Sequence, residues 1–404
     1  MIKVANRDFT RAVNQFNILN RIREAGRISR VEIAEQTGQS RASVTNITAA
    51  MIEQGLIREE QSGDKPSRGR RRIMLALNPD AAFVVGVKIS ELQVSFAVVD
   101  FIGDVKSSLI MPIRVSERSE EIVADFIEDG VRHCVKDAKL NMEDIAGCGV
   151  AVSGFVDSAS GTCLWTPLKE GQSLIRQLLA ERLNMDVFLE NDANSVTVAA
   201  QWFGQGKGVD DFLVVTMEHG VGMGIVVNGN MYRGHNGIGA EFGHVVMVPD
   251  GEPCRCGKNG CIESYVSDGA ILRRSRAFLS RRRGEKPDLD QLTIEDVTAM
   301  AKNGDAGLKK IFREAGTILG QGISGLIQIF NPQKVIIMGE GVRAGDLVYA
   351  PMRRAVKKFV NAELYEATEI LLQEWHDDDW ARGAAGFVLS ELYKSPLDCI
   401  RRAK

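Results

Sequence analysis

SRVEIAEQTGQSRASVTNITAAMIEQGLI, residues 29–57, contains two helix starts and two helix stops in close succession. Ser29 is followed three residues later by Glu32, the pattern of a capping box. The helix RVEIAEQTG then ends at Gly38, the residue type that most readily takes the left-handed turn after a helix. Ser40 opens the next helix, RASVTNITAAMIEQG. Its apolar face is read as Ala42, Val44, Ile47 and Met51, and that of the preceding helix as Val31, Ile33 and Ala34. The outer face of the later helix carries Arg41, Ser43, Thr45 and Asn46. These mostly short, hydrogen-bonding groups suit base edges and phosphates at the front of a recognition helix. Upstream, RAVNQFNILNRIREAG (11–26) places Ala12, Phe16, Leu19 and Ile22 at helical spacing. Downstream, LIREEQSGDKPSRGRRRIMLALN (56–78) sets two extended segments around a polar loop holding Arg68, Arg70, Arg71 and Arg72. The order of helix, turn, helix and basic hairpin predicts a winged helix-turn-helix over 1–78. Ser40, Arg41, Ser43, Thr45 and Asn46 would face bases or phosphates, and the four wing arginines the flanking backbone.

Charge agrees with this division. The chain of 404 residues has a net charge of −3, but residues 1–75 hold 14 Lys/Arg against 8 Asp/Glu, a net of +6 that leaves −9 for the remainder. A basic module on an acidic body fits a DNA reader attached to a metabolite-binding domain. The length calls for two or three domains. The start, MIKVANRDFT, has no apolar core segment, and no stretch approaches a membrane span, so a cytoplasmic protein is expected.

From residue 79 to 404 strands and helices mix. FVVGVKISELQVSFAVVDFIGDVKSSLIMPI (83–113) predicts a strand meander with a tight Phe-Ile-Gly-Asp turn. A helix at 117–139, the strand IAGCGVAVSGFVD, a helix at 173–184, the strand DVFLEND and a helix from near Ala193 follow. DFLVVTM, GVGMGIVVNG, MYRGHNG and NPQKVIIMGEGV then form a second set. The expectation is an α/β body of two lobes with a cleft between them.

Within the second set, His244 precedes Cys254 by ten residues, and Cys256 and Cys261 follow. One imidazole and three thiolates complete a tetrahedral set with no position left for water, which predicts structural zinc. Three cysteines within eight residues fit metal ligation better than a disulfide framework. Asn191, Asp192, Glu241 and Glu263 add the donors and acceptors that sugar hydroxyls require, although Glu-Asn-Asp at a strand end serves equally well as a helix cap.

GIGAEFGH (237–244), followed by the cysteine knuckle and IES, resembles the signature of the ROK family of repressors, open reading frames and sugar kinases; ENDANS (190–195) is similar to its sugar-site segment. The resemblance implies an actin-like, hexokinase-like body with structural zinc, in a dimer or tetramer. It also implies that Asn191, Asp192, Glu241, His244 and Glu263 contact sugar, with Asp192 at the position of the kinases' base. His244 would then both hold zinc and face the sugar. Two departures bear on catalysis. Where the kinases carry a glycine-rich phosphate loop, GVKISELQV (86–94) has Lys88, Ser90 and Glu91, and the second phosphate segment is EHGVGMG (218–224). The missing glycines remove the close backbone approach a phosphate needs. The expected function is a non-enzymatic repressor of carbohydrate genes, binding a double-stranded DNA operator and released by a sugar or sugar phosphate. The alternatives are a sugar kinase with an added DNA module and a repressor that answers to a protein partner.

Overall fold

The computed structural model describes residues 7–61, 73–157, 160–166, 172–235, 237–282, 288–376 and 378–393. It begins with α1 (Arg7–Ala25), β1 (Ile28–Ser29), α2 (Arg30–Thr37), α3 (Arg41–Glu53), β2 (Ile57–Gln61) and β3 (Ile73–Leu77). The strands pair antiparallel in the order β1-β3-β2. This is the winged helix, and its local signals are in place. Ser29 Oγ accepts from Glu32 N (3.3 Å) while the Glu32 carboxylate accepts from Ser29 N (2.9 Å). Gly38 ends α2 at φ 68°, and Ser40 Oγ caps α3 through Ser43 N (3.2 Å). The inner faces are narrower than the sequence reading. Ile33, Ala34, Val44, Ile47 and Met51 are buried, but Val31 and Ala42 are exposed. Val31 and Ala42 each precede a buried residue by two positions, a rotation of about 200° around the helix axis, so each points outward. Arg68, Arg70, Arg71 and Arg72 lie outside the described residues.

The chain divides into two compact units: Met1–Gly208 with Asp377–Lys404, and Val209–His376. In the first, the sheet order is β10-β7-β4-β5-β6, from β4 (Phe83–Ile89), β5 (Gln93–Asp100), β6 (Val105–Pro112), β7 (Ile145–Val152) and β10 (Val187–Asn191). The expected turn is closed by Asp100 N donating to Asp104 O (3.0 Å). A hairpin, β8 (Phe155–Asp157) and β9 (Thr162–Trp165), and the helices α4 (Glu120–Asp137), α5 (Ile175–Leu183) and α6 (Asp192–Phe203) complete this stretch. The second unit has β11 (Phe212–Met217), β12 (Val221–Val227), β13 (Asn230–Tyr232), β14 (Lys334–Met338) and β15 (Glu369–Leu372), in the order β13-β12-β11-β14-β15. Its helices are α7 (Glu263–Val266), α8 (Asp268–Ser280), α9 (Ile294–Lys302), α10 (Ala306–Phe330), α11 (Asp346–Phe359) and α12 (Ala362–Ala367). Each sheet is an antiparallel meander of three strands extended by two parallel strands, the same connectivity twice. Strands covered on both faces, such as β4, β7 and β11, are almost continuously buried, whereas β6 alternates.

The last helix, α13 (Asp379–Leu392), belongs to the first unit and lies directly on its sheet. A Cβ on Gly86 of β4 would stand 1.8 Å from Ala381 O, and one on Gly149 of β7 would stand 2.2 Å from Ala384 O. The winged helix shares this core: Ile18, Ile22 and Leu75 belong to one buried cluster with Val99, Phe101, Leu389 and Tyr393. Gly86→Ala is therefore expected to lower stability by roughly 1–3 kcal/mol through overpacking against backbone, read as a lower urea midpoint at unchanged m-value. An unchanged midpoint would mean that α13 can lift from the sheet.

Candidate effector site and metal centre

Asn191 ends β10 and caps α6, its Oδ1 accepting from Asn194 N (3.2 Å) and its Nδ2 donating to Gly154 O (3.0 Å). The capping reading is therefore correct for Asn191. Asp192 follows as the first residue of the helix, and both its carboxylate oxygens are engaged. Oδ1 accepts from Ala193 N (2.9 Å); Oδ2 accepts from Ser153 Oγ (2.6 Å) and forms an ion pair with Lys88 Nζ. Lys88 is 1% exposed, and its ammonium also lies 3.3 Å from Ser153 Oγ and 4.6 Å from the centre of the Trp380 ring. Sheet register makes this meeting possible. Lys88 pairs with Ala151 and Ala151 with Glu190, so the lysine stands level with the end of β10 although 104 residues separate it from Asp192. A buried ammonium is tolerated only with such a partner. A general base needs a lone pair directed at the substrate proton; here Lys88 and Ser153 occupy the Asp192 oxygen. Ser90 and Glu91 lie in the β4–β5 turn, which Ser90 N closes on Gln93 O (3.0 Å).

The other three candidate sugar contacts, Glu241, His244 and Glu263, belong to the second unit. Glu241 is exposed and precedes a short 3-10 turn, Phe242–His244, that presents the imidazole. One ligand atom each from His244, Cys254, Cys256 and Cys261 lies within 4.8 Å of all the others. His244 Nδ1 is 3.6 Å from Cys254 Sγ, and Cys256 Sγ is 3.7 Å from Cys261 Sγ. Around a tetrahedral ion with metal–sulfur bonds of about 2.3 Å, sulfur atoms stand roughly 3.8 Å apart. The spacing is thus compatible with zinc. Burial pushes the His244 pKa down, which favours the neutral imidazole that a metal binds. Gly260 is required in the knuckle: it has φ 78°, and a Cβ there would lie 1.7 Å from Val248 O. Among the remaining described cysteines, Cys134, Cys148 and Cys163 are buried, and burial pushes the Cys148 thiol up to about 12. Glu263, 6% exposed, accepts from Arg255 Nε (2.9 Å) and Val221 N (3.1 Å). Arg255, between two cysteines, escaped the sequence reading.

The EHGVGMG segment shows a second unanticipated feature. Carboxylate or imidazole atoms of Glu218, His219 and Glu340 gather within 4.8 Å. Burial, reinforced by Glu218, pushes Glu340 up to about 7, and burial pushes nearby Asp268 up to about 6. Burial thus favours the neutral form of both carboxyls. In the winged helix, Arg41, Thr45 and Asn46 are exposed on α3 and Ser43 partly so, as expected of a recognition face; the Thr45 hydroxyl is turned back onto Arg41 O (2.8 Å).

Residues 84–391 match the ROK family model. The chain belongs to the ROK family. Residues 12–58 match a model described as winged helix-turn-helix DNA-binding. The fold is accordingly an amino-terminal winged helix followed by an actin-like, hexokinase-like ROK body. The ROK chain is 27% identical to the xylose repressor of Bacillus subtilis over 96% of its own length and 98% of the relative's. It is 29% identical to the DNA-binding transcriptional dual regulator NagC of Escherichia coli, over 90% and 88%. In structure it is similar to a ROK family transcriptional regulator homologous to the Escherichia coli Mlc protein (TM-score 0.80, 24% identity, 98% of this chain and 100% of that one). It is also similar to a ROK glucokinase from Streptomyces griseus in complex with glucose and AMPPNP (TM-score 0.65, 27% identity, 76% and 99%). No helix among the described residues is long and apolar enough to cross a membrane.

The knuckle makes a direct prediction. The purified ROK protein should carry about one equivalent of a thiophilic divalent metal per chain, and Cys256→Ser should reduce it to a minor fraction by elemental analysis. Equal metal content in the two proteins would remove the four-residue assignment.

Proposed function

We propose that this ROK protein is a sugar-responsive, DNA-binding repressor of carbohydrate uptake or catabolism genes, and not a sugar kinase. The observation that carries the reading is the Lys88–Asp192–Ser153 cluster in a chain that begins with a winged helix. The aspartate that would have to accept a proton from a sugar hydroxyl is held by a buried ammonium, so it can contact a sugar but is poorly placed to activate one. The relative named for xylose supports a sugar as the signal.

In this reading residues 1–78 are the DNA-binding module and 79–404 the sugar-binding body. Ser40, Arg41, Ser43, Thr45 and Asn46 read the operator, and Arg68, Arg70, Arg71 and Arg72 hold its flanking backbone. Asn191, Asp192, Glu241, His244 and Glu263 contact the sugar or sugar phosphate. Zinc on His244, Cys254, Cys256 and Cys261 supplies rigidity and no reaction step. His244 would hold it with an imidazole whose Nδ1 lies 3.6 Å from Cys254 Sγ, and the same residue would face the sugar. A cytoplasmic homodimer or tetramer sets two recognition helices on an inverted-repeat operator. Release requires that the sugar bind the DNA-free state better than the DNA-bound state; a tenfold loss of DNA affinity needs about 1.4 kcal/mol of that difference.

A gel shift tests the reading. Purified protein on the DNA upstream of its own and neighbouring genes is titrated with D-xylose, N-acetyl-D-glucosamine, D-glucose and their phosphates. One sugar should weaken the complex by about tenfold or more, and Asp192→Ala should bind the same DNA while losing that response. A response of unaltered size in Asp192→Ala would contradict the assigned pocket and favour a protein signal.

A further inference from the structure

Two helices of the first unit start at the same buried ion pair and end at the same aromatic cluster. Asp192 is the first residue of α6 and Trp380 the second of α13; Lys88 is paired with the former and lies 4.6 Å from the ring of the latter. At the far end α6 closes with Trp202 and Phe203, and α13 is followed by Tyr393. The Tyr393 ring is 5.2 Å from Trp202, is stacked on Phe101 at 4.6 Å, and its hydroxyl donates to Phe101 O (3.1 Å). Between the ends there is no slack. A Cβ on Gly383 would stand 2.8 Å from Val196 Cγ1, and one on Gly386 would stand 3.4 Å from Ala199 Cβ. Close-packed helices of this kind shift as bodies, since packed interfaces do not deform continuously.

Onto that far end comes Arg23, from the last turn of α1 in the winged helix. Its guanidinium carbon lies 3.9 Å over the Trp202 ring, Nη1 donates to Trp202 O (3.3 Å), and Nε donates to Asn20 Oδ1 (3.1 Å). The side chain is only 12% exposed. The Trp202 carbonyl belongs to the last turn of α6, where the helix dipole favours a cation. Arg23 thus joins the DNA-binding module to the carboxyl end of the helix whose amino end carries Asp192.

We propose that α6 and α13 act together as a strut that transmits the state of the Lys88–Asp192 pair to the winged helix through the Arg23–Trp202 clamp. The inference rests on the reading of Asp192 as an effector contact. A sugar hydroxyl bound to Asp192 competes with Lys88 and Ser153 for the same carboxylate, and re-seats the start of α6. Twelve helical residues carry that displacement about 18 Å to the clamp.

Hydrogen exchange on the full chain tests the strut without needing the sugar's identity. Asp192→Asn should change exchange of the amides of residues 18–25 by about fivefold or more, and the change should vanish when the same substitution is made in Arg23→Ala. An unchanged 18–25 segment would overturn the proposal, as would a change that persists at full size in the double variant. Ser153→Ala, which removes one bond to the same carboxylate, replaces Asp192→Asn if that variant does not fold. In the gel shift, with D-xylose and N-acetyl-D-glucosamine as probes, Arg23→Ala should keep DNA and sugar binding but lose about tenfold of the sugar-driven release. If neither sugar affects the wild-type complex, the effector reading fails by itself, and the exchange cycle still decides the strut.

Discussion

The ion pair between Lys88 and Asp192 is the constraint around which the first unit is arranged. A buried ammonium costs several kcal/mol unless a carboxylate and further polar partners meet it. Those partners come from three places: Asp192 after β10, Ser153 after β7, and the face of Trp380 on α13. Parallel pairing of β4, β7 and β10 brings the first two to one level, and glycines at 86 and 149 let α13 come close enough to bring the third. The same pair that neutralises the lysine ties up Oδ2 of the aspartate together with Ser153. In the proposed reading, the stability of this corner and the restraint on Asp192 have one cause.

The second unit repeats the sheet topology and solves its own charge problem in a related way. Glu263 is buried and held by Arg255 and a backbone amide, and Arg255 is carried on the cysteine knuckle. The loop that carries the cysteines thereby fixes Glu263, which lies outside the cluster. Around the EHGVGMG segment carboxylates gather, and burial raises two of them well above the usual range. The two sheets keep the architecture shared with the ROK glucokinase fold.

Features encoded over a few residues were legible in advance. The Ser29–Glu32 box, the Ser40 cap, the Asn191 cap and the His244-to-Cys261 knuckle depend on contacts within 18 residues of sequence, and each stands where its spacing placed it. The meander turn after Asp100 is of the same kind. What depended on tertiary register was not legible. Lys88 registered only as an odd residue in a phosphate loop, because its partner is 104 positions away and is set beside it by two strand pairings. Arg23 was one helical arginine among several until the end of α6 gave it a ring and a carbonyl. The apolar character of Val31 and Ala42 suggests an inward face, but helical phase turns both to solvent.

The central claim is that Asp192 senses a sugar without reacting with it. The most direct measurement is product analysis. The sugar that releases the protein from DNA is incubated with wild-type protein, ATP and magnesium, and recovered for mass spectrometry. The account predicts unmodified sugar, unconsumed ATP and free DNA. A phosphorylated sugar whose formation is lost in Asp192→Asn would contradict it, because the Lys88-bound carboxylate would then be working as a base.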